Sequence, residues 1–129
     1  MKKTAIGVMV VVMIMLVVGC EQQTVRGPEG RRMTVSVPAG VSMQRGQTAQ
    51  VDVSITRVGF SGSVMVSIEN LPRGVAAAQT VRNVETDRTV FILNADPQAD
   101  LVENQRVRII AEGPDGMQIT QYFPLSVVR

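Results

Sequence analysis

The chain is expected to fold as an all-β, two-layer antiparallel sandwich of about seven strands, preceded by an N-terminal leader and a short tether. Three observations predict this. From Cys20 onward the sequence holds 17 Val, 6 Ile and 8 Thr but only 4 Leu, and β-branched side chains with restricted χ1 pack better on a pleated surface than on a helix. Apolar residues alternate with polar ones in several runs, the period of a strand with one buried face. Gly and Pro clusters punctuate those runs at fairly regular spacing.

The leader has three parts. Met1-Lys2-Lys3 is positive, Ala5 to Val18 is an unbroken run of 14 apolar residues or glycine, and Gly19 stands directly before Cys20. A charged start, a short apolar run and a small residue at a cleavage point are the parts of a secretory signal peptide. As a helix the run would span about 21 Å at 1.5 Å per residue, short of a hydrocarbon core of roughly 30 Å. Residues 1–19 therefore read as signal peptide, residues 20–32 as Cys20 and a flexible tether, and residues 33–129 as one domain. The segment Glu21 to Arg31 has a single hydrophobe, Val25, and no periodicity, and a flexible chain of that length reaches roughly 18 Å. No internal repeat stands out.

Within the domain, Met33, Val35 and Val37 alternate with Thr34 and Ser36 until Pro38-Ala39-Gly40 ends the run. Ala49, Val51, Val53 and Ile55 alternate with Gln50, Asp52, Ser54 and Thr56, the strongest period-2 signal of the chain. Gly59 and Gly62 bracket a connection into Val64, Val66 and Ile68. Val75, Ala78, Val81 and Val84 recur at helical spacing, yet Thr, Asn and Val in that segment lower its helix propensity, so a strand over Thr80 to Val84 is preferred. Strands over Thr89 to Ala95, Arg106 to Ala111 and Gln118 to Val128 follow, the last two joined by Gly113-Pro114-Asp115-Gly116, which suits a type I turn followed by a left-handed Gly. With no Trp and four aromatics, the core must rest on aliphatic packing around Phe91 and Phe123. Phe60 is expected to plug one end.

Two resemblances attach to these residues. Val17-Val18-Gly19-Cys20 resembles the bacterial lipobox, in which a dedicated peptidase cleaves before a cysteine whose sulfur carries a diacylglycerol. Its one departure is Val three places before the cysteine, where Leu is commoner. Cys20 is the only cysteine of the chain. The resemblance implies lipidation at Cys20, a mature N-terminus there, and anchoring in a membrane of the cell envelope. Glu21 leans toward the outer membrane if the host has two membranes. The run VPAGVSMQRGQTAQVDVSITRVGFSGSVMVSIENLPRGV resembles the immunoglobulin-like β-sandwich modules of bacterial surface and secreted proteins, which serve as spacers, adhesive units or accessory domains and share no catalytic residues.

Composition excludes most catalytic chemistry. There is no His, and both Lys residues lie in the first three positions, so Ser61, Ser63 and every other serine lack the usual activating base. Asp96 and Asp100 near Pro97 could form a carboxylate pair, but turn chemistry accounts for them more simply. No cofactor and no metal site is expected. From Cys20 onward 11 Arg balance 11 acids, so there is no electrostatic footprint for nucleic acid. A non-enzyme is expected.

A partner-binding surface is expected from the pleat. If Val107, Ile109 and Ala111 point inward, Arg106, Arg108 and Ile110 point outward beside Thr120 and Tyr122 of the next strand, and Arg and Tyr are the side chains most enriched at binding hot spots. The function expected is a non-catalytic structural or interaction module that docks on an envelope protein or glycan. The alternative is an envelope protease inhibitor presenting Leu71-Pro72-Arg73-Gly74, with Arg73 as its contact. With seven strands the tethered end should carry the turns at Gly59 to Gly62 and Gly113 to Gly116, and the loops Pro38 to Gly46, Leu71 to Gly74 and Pro97 to Asn104 should face away.

Overall fold

The computed structural model describes residues 20–129, so the signal peptide expected at residues 1–19 lies outside the described residues. Ten strands form: β1 (Cys20–Arg26), β2 (Arg32–Pro38), β3 (Val41–Gln44), β4 (Thr48–Val58), β5 (Val64–Glu69), β6 (Val75–Ala77), β7 (Val81–Val84), β8 (Arg88–Ala95), β9 (Val102–Glu112) and β10 (Gln118–Val128). They make two five-stranded sheets, ordered β1-β2-β4-β8-β6 and β3-β10-β9-β5-β7, stacked as a sandwich.

The period-2 pattern explains why the layers close. On β4, Val51, Val53 and Ile55 are buried while Gln50, Asp52, Ser54 and Thr56 are exposed. On β10 the inward positions are Ile119, Gln121, Phe123, Leu125 and Val127, facing Val107, Ile109 and Ala111 of β9 in the adjoining ladder. Phe91 and Phe123 are the largest fully buried side chains, one from each sheet, and Phe60 packs against the core's edge. The one buried amide, Gln121, donates from Nε2 to the Val35 carbonyl at 3.1 Å, so a polar group in an apolar interior is matched and ties the two sheets together.

Three expectations are corrected. The strand count is ten rather than seven, because β1, β3 and β6 join the seven expected strands. The segment read as a tether is β1 and its turn: residues Cys20 to Arg26 pair in continuous register with Pro38 to Arg32. Among the described side chains of β1 only Val25 packs on the core, so the strand is held mainly by its backbone ladder and by the turn at 27–31. The sandwich is also not wholly antiparallel. Pro38-Ala39-Gly40 carries the chain across from β2 to the other sheet, where β3 pairs parallel with Leu125 to Val128 of β10.

The two hairpin turns are near copies of one another. Gly27-Pro28-Glu29-Gly30 and Gly113-Pro114-Asp115-Gly116 lie 86 residues apart, the spacing that also separates Val35 from Gln121. The match continues through Met33 and Ile119, Thr34 and Thr120, Val37 and Phe123, to Pro38 and Pro124. In each turn the first Gly N–H donates to the carbonyl four residues on at 2.8 Å. Glu29 and Asp115 have φ of 59° and 61°, and Gly30 and Gly116 have φ of 75° and 73°. Two central residues at positive φ define a type I′ turn, which matches strand twist better than the type I turn expected. The hairpins pack side by side, with Arg31 ion-paired to Asp115.

The expected orientation changes accordingly. Cys20 pairs with Pro38, whereas Arg26 and Arg32 lie at the opposite end of the hairpin. Arg31 abuts Gly59 and bonds Asp115. The turns at Gly59 to Gly62 and Gly113 to Gly116 thus sit at the end of β1 remote from Cys20, not at the tethered end.

Candidate interaction surface

Burial of Val107, Ile109 and Ala111, none more than 1% exposed, turns Arg106, Arg108, Ile110 and Glu112 of β9 outward. Cross-strand register then sets their neighbours. Tyr122 of β10 and Glu69 of β5 flank Arg108; Thr120 and Ser67 flank Ile110; Gln118 and Met65 flank Glu112. Val81 of β7 lies beyond Ser67.

Arg106, Arg108 and Tyr122 therefore come together as expected, and they interact. The Arg106 guanidinium sits 4.2 Å from the centroid of the Tyr122 ring, a cation–π stack. Arg108 donates from Nε and Nη2 to Glu69 Oε1 at 3.1 and 2.7 Å. The hydrogen bond to Glu69, then its charge, hold the Arg108 guanidinium above its ordinary pKa. The pair is solvent-exposed, so its contribution to stability is small. Its main effect is positional: it fixes Arg108 and leaves Arg106 as the cation free of a carboxylate.

Glu69 was not among the expected site residues. It lies 39 positions from Arg108, and only the β5–β9 register joins them. The support of Arg106 was missed for the same reason. Asn70, at φ 65°, donates from Nδ2 to the Arg106 carbonyl at 2.7 Å, and Gln105 Nε2 returns a bond to the Asn70 carbonyl at 2.9 Å. Asn tolerates the left-handed conformation that most side chains resist. Beside this cluster, Gln23, Arg106, Gln121, Tyr122, Phe123 and Pro124 line a shallow groove of about 400 Å³ where β10 meets the β1 edge. A larger groove of about 600 Å³ lies between the C-terminal end of β10 and Leu101 to Glu103.

Arg73 is not part of this surface. It sits in the β5–β6 loop, its side chain 86% exposed, with Nε 3.3 Å from Asp100 Oδ2. The loop is nonetheless rigid. Pro72 is buried, and a Cβ on Gly74, whose φ is +89°, would lie 2.5 Å from Ala99 Cα. Asp96 accepts the Gln98 N–H on Oδ1 at 2.8 Å, as a turn-forming Asp does. Asp96 and Asp100 thus each have a local role, and among the described residues no group of three potential metal ligands converges.

A two-sheet β-sandwich with one outer face carrying Arg, Tyr, Met and Val is the class of protein the geometry defines. No family model matches the chain, and no curated protein is significantly similar to it.

Proposed function

We propose that the chain is a lipid-anchored protein of the bacterial cell envelope, a non-catalytic immunoglobulin-like module that docks an envelope protein or glycan through the outer face of β10, β9 and β5. The observation that carries the docking reading is the convergence of Arg106, Arg108, Glu69 and Tyr122 on one exposed face. Strand order supports the immunoglobulin-like reading. Such a sandwich places strands A, B, E and D in one sheet and C, F and G in the other. β2-β4-β8-β6 and β5-β9-β10 follow that order. The pattern is departed from where β6 and β7 pass in turn to the edges of the two sheets.

The lipobox-like Val17 to Cys20 supports the anchor, with the acyl chains on Cys20 as the link to the membrane and no cofactor or metal required. Because β1 begins at Cys20, the anchor would attach without a free tether, and the sandwich would lie against the bilayer by its β1–β2 edge. Cys20→Ser should leave an unprocessed, unlipidated precursor; mass spectrometry of the wild-type protein from its host showing an intact Met1 terminus overturns the anchor. Substituting Arg106, Arg108 and Tyr122 together with Ala should weaken partner capture from solubilised envelopes about tenfold or more while circular dichroism stays unchanged. The inhibitor alternative draws on the rigidity of the Arg73 loop, and it requires that Arg73→Ala matter more than the triple substitution.

A further inference from the structure

The outer face of β9 is polarised along its length. Its outward residues run Arg106, Arg108, Ile110, Glu112, and Arg108 is already neutralised by Glu69. Among the described residues neither Arg106 nor Glu112 has an ion-pair partner. An uncompensated cation and an uncompensated anion thus stand about 20 Å apart on one strand, with Ile110 between them and Met65, Val81 and Tyr122 around it. Those last three are 46%, 51% and 38% exposed.

Such a strip is complementary to itself. Two copies brought face to face about a two-fold axis that lies between them and crosses β9 at the level of Ile109 would run their β9 strands antiparallel. Each Arg106 would then meet the Glu112 of the other copy, twice by symmetry. Arg108 with its bound Glu69 would meet Ile110, and Tyr122 would lie over Thr120. A closed two-fold contact needs this property: position i meets j, and j meets i. A partner with one sign of charge would satisfy only one end of the strip.

We propose that this face is the contact between two copies of the chain. The proposal rests on the docking role given above to the same face and names its occupant. The face is about 20 Å by 20 Å, about 800 Å² over the two copies and below the size of stable specific interfaces, so pairing is weak and transient in solution. Confinement to a membrane would raise the local concentration that favours it.

Charge exchange tests it. The full-length protein is expressed in its host with two different tags, cross-linked in intact cells, and recovered through one tag. Arg106→Glu places two like-charged contacts in its own pair, and so does Glu112→Arg, so each alone should lower recovery of the second tag about tenfold or more. Co-expression of Arg106→Glu with Glu112→Arg should restore it, because both contacts of the mixed pair are then opposite in charge. A merely misfolded variant cannot be rescued this way. Unchanged recovery from either single variant, or no rescue in the mixture, overturns the proposal. If wild-type copies do not pair, yet the triple Ala variant still loses an envelope protein or glycan, self-association is wrong and the docking reading stands. If neither is seen, both fall.

Discussion

The two outer faces of the sandwich are built by the same alternation and differ in what they carry. On the β1-β2-β4-β8-β6 sheet the outward rows include Thr24, Thr34 and Thr56, then Gln22, Ser36, Ser54 and Arg88, with Arg26, Arg32 and Val58 at one end. Thr24 and Thr34 bond each other through their hydroxyls at 2.7 Å, and Asp52 stands 4.0 Å from Arg88. Such a face meets its own hydrogen-bonding needs and those of water, and Ser and Thr are poor binding anchors. On the β3-β10-β9-β5-β7 sheet the outward positions include Met65, Val81, Tyr122 and Val128, four of the six large hydrophobic residues left exposed among those described. The inward halves of both sheets are constrained by packing. The outward halves are free of that demand, and the second sheet carries more of the large hydrophobic side chains left exposed, with Tyr122 among them.

Because one core serves both faces, the largest effects should come from the residues they share. Phe91→Ala and Phe123→Ala each remove the largest buried ring of one sheet and should cost about 3–5 kcal/mol. Urea unfolding followed by circular dichroism should show one transition moving to lower denaturant in both variants. If one sheet melts ahead of the other, the faces belong to separable layers and the comparison loses its basis.

Next in size is the loss of β1, which belongs to the polar-faced sheet alone. Removing residues up to Arg31 deletes part of a backbone ladder and the burial of Val25, and should lower stability by about 2–4 kcal/mol. The remaining domain should stay folded, with an all-β circular dichroism spectrum, because the alternating strands that fill the core all lie beyond it. Stability unchanged by the truncation would mean that the segment contributes nothing as a strand.

This segment also shows where the sequence stops being legible. Val51, Val53 and Ile55 announce their strand because burial requires every second residue to be apolar. Short edge strands face less of that demand: among the described side chains β1 packs Val25 on the core, β3 packs Val41 and Met43, and β6 packs Val75 and Ala77. A reading based on buried faces passes over them. The same boundary divides the candidate surface. Arg106, Arg108 and Tyr122 follow from the pleat and one hairpin, since β9 and β10 are joined by five residues, Gly113 to Met117. Glu69 and Asn70 depend on register between strands about 40 residues apart, which no local pattern carries. The repeated Gly-Pro-acid-Gly turn was in plain view but short, and its meaning emerges only when the hairpins are seen packed together.

A smaller effect on stability, but the sharpest contrast between the faces, comes from matched triple substitutions. Thr34, Ser54 and Thr56 changed together to Ala should shift stability by no more than about 0.5 kcal/mol per site and leave partner capture and self-pairing untouched. The triple change of Arg106, Arg108 and Tyr122 should be similarly mild in thermal melts and should weaken capture about tenfold or more. Equal losses of binding from both triples would show that the polar face also docks.

The smallest expected effect lies in the turns that close the two hairpins, one in each sheet. Both place an acidic residue at positive φ, Glu29 at 59° and Asp115 at 61°. The left-handed region costs an ordinary side chain roughly 1–2 kcal/mol, and Asp and Asn escape part of that cost through their short polar side chains. Glu29 does not. Glu29→Asn should therefore stabilise the protein by about 0.5 kcal/mol, read as a small rise in the urea midpoint with an unchanged slope. Asp115→Asn offers no backbone gain, because Asp already suits the site, and it removes the charge paired with Arg31; its midpoint should fall or stay level. Opposite signs at two turns of matching backbone would isolate the side chain's conformational cost from the geometry they share. A fall at Glu29→Asn would show that its turn is not the type I′ turn of its counterpart.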